Sequence, residues 1–259
     1  MNPITLKTEQ LVCGHRPNRP LFDPVDLVLS RGEITAILGG NGQGKTTLMK
    51  TLLGDQRPLQ GRVEHMGRIN FVPQRFDCAF SYAVLDMVLM GRANTIGLFS
   101  SPSQHDITMA QRALAMLSID HLAHEAFDRL SGGQQQLVLI ARALASECDV
   151  LILDEPTTAL DLAHQATVIE LLHALAKERQ ISILFSTHDP AQAQFIADHV
   201  VLLMKDKRCL TGPKHEVLTE HHLTELYGVP IQQCYIQRGH QSYTTFLPDL
   251  GRFLGNDLV

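Results

Sequence analysis

The sequence predicts an α/β fold with a parallel sheet at its centre and a helical lobe inserted into it, on three observations. The apolar run Ile34–Leu38, a glycine-rich stretch and helical spacing through Leu53 give strand, tight turn and helix in direct succession. Helical periodicity then dominates residues 82–147, between two segments that carry strands. From Val150 onward short apolar runs alternate with helical stretches, as in a sheet covered on both faces.

In order along the chain, residues 4–12 and 21–31 read as short strands, with Leu6 and Leu11 in the first and Val25, Leu27 and Leu29 alternating in the second. The stretch from Cys13 to Pro20 is a loop by composition, and Arg31-Gly32 turns into the strand Ile34–Leu38. The first helix ends at Gly54. Arg62–Glu64 and Ile69–Val72 are strand-like and stop at Pro73-Gln74. Val84, Leu85, Val88 and Leu89 follow a helical rhythm, and Asn94–Ser103 is a loop. A further helix from about Asp106 puts Met109, Ala110, Ala113, Leu114 and Leu117 on one face. Val150–Leu153 is uniformly apolar, the pattern of a strand buried on both sides. A helix over 162–179, a strand at Ile183–Phe185, a helix over 190–197 and a strand at Val200–Met204 continue the alternation. Short helices near 213–219 and 222–227 precede a tail with strand-like alternation around Cys234, Ile236 and Tyr243.

The 259 residues are 44% hydrophobic, enough for an ordinary core without covalent staples. A net charge of −5 argues against a nucleic-acid partner held by phosphate neutralisation. Cys13, Cys78, Cys148, Cys209 and Cys234 lie far apart with no C-x-x-C spacing, so reduced thiols in a cytosolic protein are expected. No signal pattern opens the chain, and no apolar run approaches the ~20 residues of a membrane helix. A membrane role is therefore expected only through a partner.

Gly39-Gly40-Asn41-Gly42-Gln43-Gly44-Lys45-Thr46 fits the pattern G-x-x-x-x-G-K-[ST] in the strand–turn–helix context that a phosphate site needs. Glycines let the backbone N–H groups converge inward, and the helix N-terminus adds positive charge. Lys45 would reach the β- and γ-phosphates, and the Thr46 hydroxyl would ligate Mg2+. Asp154 and Glu155 follow the buried strand, at the edge where α/β sheets place ligands. Asp154 suits Mg2+ held through its water shell, and Glu155 suits orienting or deprotonating an attacking water. In Leu130-Ser131-Gly132-Gly133-Gln134, Ser131 and Gln134 form the spacing of a capping box. Capping does not explain two glycines at ~1 kcal/mol each, whereas a second phosphate-facing set of backbone N–H groups does.

Gly39 to Thr47, Gln74, Leu130–Gln134, Leu151–Glu155, Thr158-Ala159-Leu160-Asp161 and Ser186-Thr187-His188-Asp189 resemble the ordered motif set of ATP-binding cassette ATPases, over residues 5–230. The resemblance implies a P-loop NTPase core with N-terminal antiparallel strands and an inserted helical subdomain. The division is then 1–81 with 149–212 as core, 82–148 as helical subdomain and 213–259 as C-terminal extension. It implies a head-to-tail homodimer in which ATP on the loop of one copy, including Thr47, is closed over by Ser131, Gly132, Gly133 and Gln134 of the other. It further implies that Gln74 contacts Mg2+ and couples to a membrane partner, that Asp161 lies in the loop crossing the dimer interface, and that His188 touches the γ-phosphate. The family commonly has an aromatic residue, usually Tyr, before the loop to stack on adenine; this chain has His15, whose imidazole offers less area.

Met90-Gly91-Arg92, Gly97-Leu98-Phe99, Ala159 to Gln165 and Leu226-Tyr227-Gly228 are similar to ATPases of bacterial importers for iron chelates, cobalamin and molybdate. This implies two copies beneath two integral-membrane permease subunits on the cytoplasmic face of the inner membrane, supplied by an external substrate-binding protein. Iron-siderophore is the leading solute, with molybdate or tungstate, cobalamin and heme as alternatives. Zinc and manganese importers commonly carry a different stretch after the catalytic carboxylates. A soluble non-transport cassette protein would show two cassettes or a coiled-coil insertion. A small-molecule phosphotransferase would leave Leu130–Gln134 and His188 without roles.

Overall fold

The computed structural model describes residues 2–249 apart from 17, 18, 75, 77–79, 97–99, 159 and 240. Cys78, Gly97-Leu98-Phe99 and Ala159 therefore lie outside the described residues.

The chain begins with β1 (Ile4–Val12), β2 (Val28–Ser30) and β3 (Ile34–Gly39), then α1 (Lys45–Leu53), β4 (Gln60–His65) and β5 (Ile69–Val72). Three helices follow, α2 (Val84–Leu89), α3 (Gln104–Met116) and α4 (Gly132–Ala145). The alternating part is β6 (Val150–Leu153), α5 (Leu162–Arg179), β7 (Ser182–Thr187), α6 (Pro190–Ile196), β8 (His199–Leu203) and β9 (Cys209–Pro213). The chain continues through α7 (Lys214–Val217), α8 (Glu220–Tyr227), β10 (Ile231–Arg238) and β11 (Gln241–Pro248).

Six strands form the central sheet in the order β5-β6-β7-β3-β8-β9. The first five are parallel, and β9 closes the edge antiparallel to β8. Strand residues alternate between two apolar cores, as a period of two demands. Ile37, Ile152, Leu184 and Val201 join a cluster with α1 and the antiparallel sheet β2-β1-β4. Leu38, Leu153, Phe185 and Leu202 join the opposite cluster, with Val88 of α2, Leu114 of α3, Ile140 of α4 and Leu172 of α5.

Local chemistry sets the helix boundaries. Ser103 and Asp106 form a capping box on α3, and Ser131 and Gln134 form one on α4. Asp161, Asp189 and Thr219 cap α5, α6 and α8 through side-chain oxygens, and left-handed Gly54 and Gly228 end α1 and α8. Arg92, 4% exposed, is bound to Asp106 at 3.0 Å, to the Ala145 carbonyl at 3.0 Å and to Glu147 at 3.1 Å. It ties the segment after α2 to both α3 and α4.

Two expectations are corrected. The strand expected over 21–31 is confined to β2, with Val25 contributing only an isolated bridge to Leu11. The sheet gains β9, which carries no alternating pattern. The described cysteines Cys13, Cys148, Cys209 and Cys234 are free thiols. Among the described residues, no helix is long and apolar enough to cross a membrane.

Candidate functional site

The loop between β3 and α1 is a tight curl whose last residue must be glycine. Gly44, the N-cap of α1, has φ +100°, and a Cβ there would lie 3.0 Å from the Phe22 ring and 3.1 Å from Leu21. The Gln43 side chain folds back over the loop and accepts from the Gly40 N–H. The Lys45 ammonium donates to the Gly39 carbonyl at 2.9 Å and lies 3.2 Å from Glu155 Oε1. A single positive charge, 7% exposed, is thereby fixed at the loop.

Parallel strands bring the carboxylates to the same edge. β6 and β7 are in register and β7 pairs with β3, so residues following β6 and β7 emerge beside the loop following β3. Ser186 on β7, fully buried, donates to Asp154 Oδ1 at 2.7 Å and accepts from the Glu155 N–H at 2.8 Å. This holds Glu155 at φ +47°, a left-handed conformation costly for a residue with a Cβ. The Thr46 hydroxyl donates to Asp154 Oδ2 at 2.7 Å.

Glu155 is the convergence point. Gln74 Nε2 donates to its Oε2 at 3.1 Å, Thr158 donates to the same oxygen at 2.8 Å, and His188 Nδ1 is 3.7 Å from it. Burial pushes the carboxyl's pKa up, but the Thr158 hydrogen bond, Lys45 and the His188 charge outweigh burial and leave it lowered. Glu155 is therefore a carboxylate at neutral pH, able to orient a water or accept its proton.

A cleft of about 350 Å³ opens here, lined by Gly40, Asn41, Gly42 and Gly44 to Thr47 of the loop, by His15 and Leu21, and by Gln74 and Glu155. His15 Nε2 lies 3.3 Å from Thr47 Oγ1, so the imidazole is at the rim beside the loop. Thr46, Asp154 and Gln74 offer oxygen donors, the set that a hard divalent cation such as Mg2+ takes, next to a loop shaped for phosphate. These residues fit the ion.

Ser131, Gly132, Gly133, Gln134 and Asp161 do not line this cleft. Ser131 and Gly132 are exposed and Gly133 is buried. A Cβ on Gly133 would lie 2.2 Å from the His164 ring, whereas one on Gly132 would meet only Leu160, at 3.9 Å. One of the two glycines thus has a packing reason within the chain, which the sequence reading did not foresee. Asp161 accepts from the His164 N–H at 2.9 Å and sits 2.8 Å from its Nδ1, contacts that lower its pKa.

Sequence reasoning missed Leu21, and gave Thr158 and Ser186, both within stretches it singled out, no individual role. Thr158 was legible as a hydroxyl three residues after Glu155; Leu21 is brought in only by the tertiary fold.

Residues 22–158 match the family model described as ABC transporter. The molybdate import ATP-binding protein MolC of Haemophilus influenzae is 44% identical over 243 residues, covering 94% of this chain and 96% of its own. The probable iron chelatin transport ATP-binding protein of Helicobacter pylori is 36% identical over 229 residues, covering 83% and 90%. A solved inward-facing ABC transporter assigned to the metal-chelate type superposes with a TM-score of 0.91 at 44% identity, covering 95% of this chain and 97% of that one.

Proposed function

The chain belongs to the ABC transporter family and is an ATP-binding ATPase coupled to transport, and from that premise we propose that it powers a bacterial importer of a metal-containing solute. The observation that carries the catalytic reading is the convergence of Lys45, Gln74, Thr158 and His188 on one partly buried carboxylate, that of Glu155. The loop amides and Lys45 bind the phosphates. Glu155 orients the attacking water and takes its proton, and His188 contacts the γ-phosphate. Thr46, Asp154 and Gln74 would hold Mg2+, which would supply positive charge against the phosphates. His15 contacts the base at the rim.

In this reading, residues 1–81 and 149–212 work as the ATP-binding core, 82–148 as the helical subdomain and 213–259 as an extension. Ser131, Gly132, Gly133, Gln134 and Asp161 act on the nucleotide of a second copy, a reading supported by the outward exposure of Ser131, Gly132 and Asp161. Two permease subunits bind the pair at the cytoplasmic face of the membrane, and an external binding protein delivers the solute. Molybdate leads over an iron chelate because the molybdate relative is more similar over more of the chain, 44% against 36%. The iron-siderophore expectation keeps the support of the iron chelatin relative.

Glu155→Gln tests the site. Turnover falls by ~10²-fold or more while ATP still binds and a dimer accumulates; undiminished hydrolysis would remove Glu155 from its role. The solute is read by isolating the complex with its binding protein and assaying molybdate and iron chelate retained on it. Retention of neither sinks both the molybdate and the iron-chelate reading.

A further inference from the structure

The C-terminal extension reaches the catalytic turn through one hydrogen bond. Tyr227, the last residue of α8, donates its phenol proton to the His188 carbonyl at 2.9 Å, across 39 positions of sequence. That turn joins β7 to α6, and its backbone is held on both flanks. The Asp189 N–H donates to Thr187 Oγ1 at 3.0 Å, and the Ala191 N–H donates to Asp189 Oδ1 at 2.8 Å. His188 lies between these two fixed points, with its side chain 61% exposed. With most of the side chain in solvent, the backbone that carries the ring has a large share in setting its direction.

The donor itself is rigidly mounted. Leu223 and Leu226 of α8 are fully buried, the Thr224 hydroxyl accepts from the Ile231 N–H at 2.9 Å, and Lys205 Nζ donates to the Tyr227 carbonyl at 3.2 Å. α8 is thus anchored in the main core, to β10 and to the turn after β8. Burial, with the Asp189 carboxylate adding to it, pushes the phenol's pKa up, so the hydroxyl remains a donor throughout the physiological range.

We propose that Tyr227 is a positioning residue for hydrolysis: by gripping the His188 carbonyl it aims the imidazole across the 3.7 Å gap to Glu155 and makes the extension part of the site. This rests on the reading of His188 as the residue that contacts the γ-phosphate. It assigns work to the Leu226-Tyr227-Gly228 stretch, which the sequence marks without explaining. A tether of this kind acts on the chemical step rather than on nucleotide affinity, because the loop amides and Lys45 that grip the phosphates are untouched by it.

The test is a double-mutant cycle on the full chain with magnesium and ATP, using Tyr227→Phe, His188→Ala and the pair. Phenylalanine keeps the ring and removes only the donor, and a thermal melt checks that each variant folds. Tyr227→Phe is expected to lower kcat about tenfold with KM for ATP within about twofold, and His188→Ala to lower kcat further. The pair should be no slower than His188→Ala alone, since without the imidazole there is nothing to aim. Effects that multiply in the pair would overturn the proposal, as would normal turnover in Tyr227→Phe beside an impaired His188→Ala, which leaves the site reading intact. Full turnover in His188→Ala would sink the reading of His188 and this proposal together.

Discussion

The phosphate loop and the Ser131–Gln134 turn are both helix N-termini rich in glycine, and the fold treats them oppositely. At the loop, residues of α1 and those following β5 and β6 close around the backbone: Lys45 is 7% exposed, and Thr46 and Gln74 are bonded to the two acidic residues after β6. At the turn, Ser131 and Gly132 face outward, and the contacts made are a capping box and the His164 ring under Gly133. In the function proposed above, the first end grips the chain's own nucleotide and the second is left for the nucleotide of another copy. The contrast in exposure between the two helix ends supports that proposal.

The largest test of this contrast sets Lys45→Ala against Ser131→Arg. Removing the ammonium should weaken ATP binding by about 10- to 100-fold in the isolated chain, the scale of charge-assisted contacts, read by nucleotide titration. If the turn closes over the nucleotide of a second copy, as proposed, Ser131→Arg should leave that affinity within about twofold and abolish ATP-driven dimerisation, read by light scattering, because the longer side chain would fill that space. A Ser131→Arg chain that loses affinity as a monomer would erase the distinction between the two helix ends.

A smaller effect separates the two glycines of the turn. Gly133→Ala forces a methyl into the His164 ring and should cost about 1–3 kcal/mol of stability, recovered in part by adding His164→Ala. Gly132→Ala should cost nothing measurable in folding, since its nearest neighbour would be Leu160 at 3.9 Å. Equal losses in chemical denaturation would show that the packing difference is not felt.

The smallest is a pH effect at the helical segment. The Ser103 hydroxyl and N–H, with Arg92, hold Asp106 at about 2, below its ordinary 3.8. Because the folded value is depressed, the stabilisation is complete above the unfolded value and disappears as pH falls through the folded one. Asp106→Asn should therefore be less stable than the parent at neutral pH, and the urea midpoints should converge as pH falls from about 4 to about 2. A constant gap across that window would contradict the assignment.

How much was legible follows the reach of each signal. Residues 39–46 and 154–155 were readable because a short local pattern fixes both their backbone and their place beside the sheet. β9 was not. Its residues Cys209-Leu210-Thr211-Gly212-Pro213 lack alternation and contain both Gly and Pro, and the strand exists because the turn at Lys207, φ +73°, returns it to β8. Residues 21–31 failed in the other direction: Val25, Leu27 and Leu29 do alternate in burial, but regular pairing is limited to β2, with an isolated bridge at Val25 and a single bond from the Thr8 N–H to the Leu27 carbonyl, and Pro24 has no N–H with which to extend it. Contacts made by fold alone, such as Leu21 at the cleft, Ser186 under both acidic residues and Tyr227 on His188, leave no pattern along the chain. The spatial order of the six strands is unreadable for the same reason.

The sharing of sites is tested most directly by mixing the two defects. Chains carrying Glu155→Gln with Lys45→Ala, and chains carrying Glu155→Gln with Ser131→Arg, should each fail to dimerise with ATP alone. When mixed, a pair has one site assembled from both defects and one from two sound halves, so mixed dimers holding one ATP apiece should form. If each chain instead completes its own site, every site in the mixture carries a defect, and no ATP-bound dimer should appear.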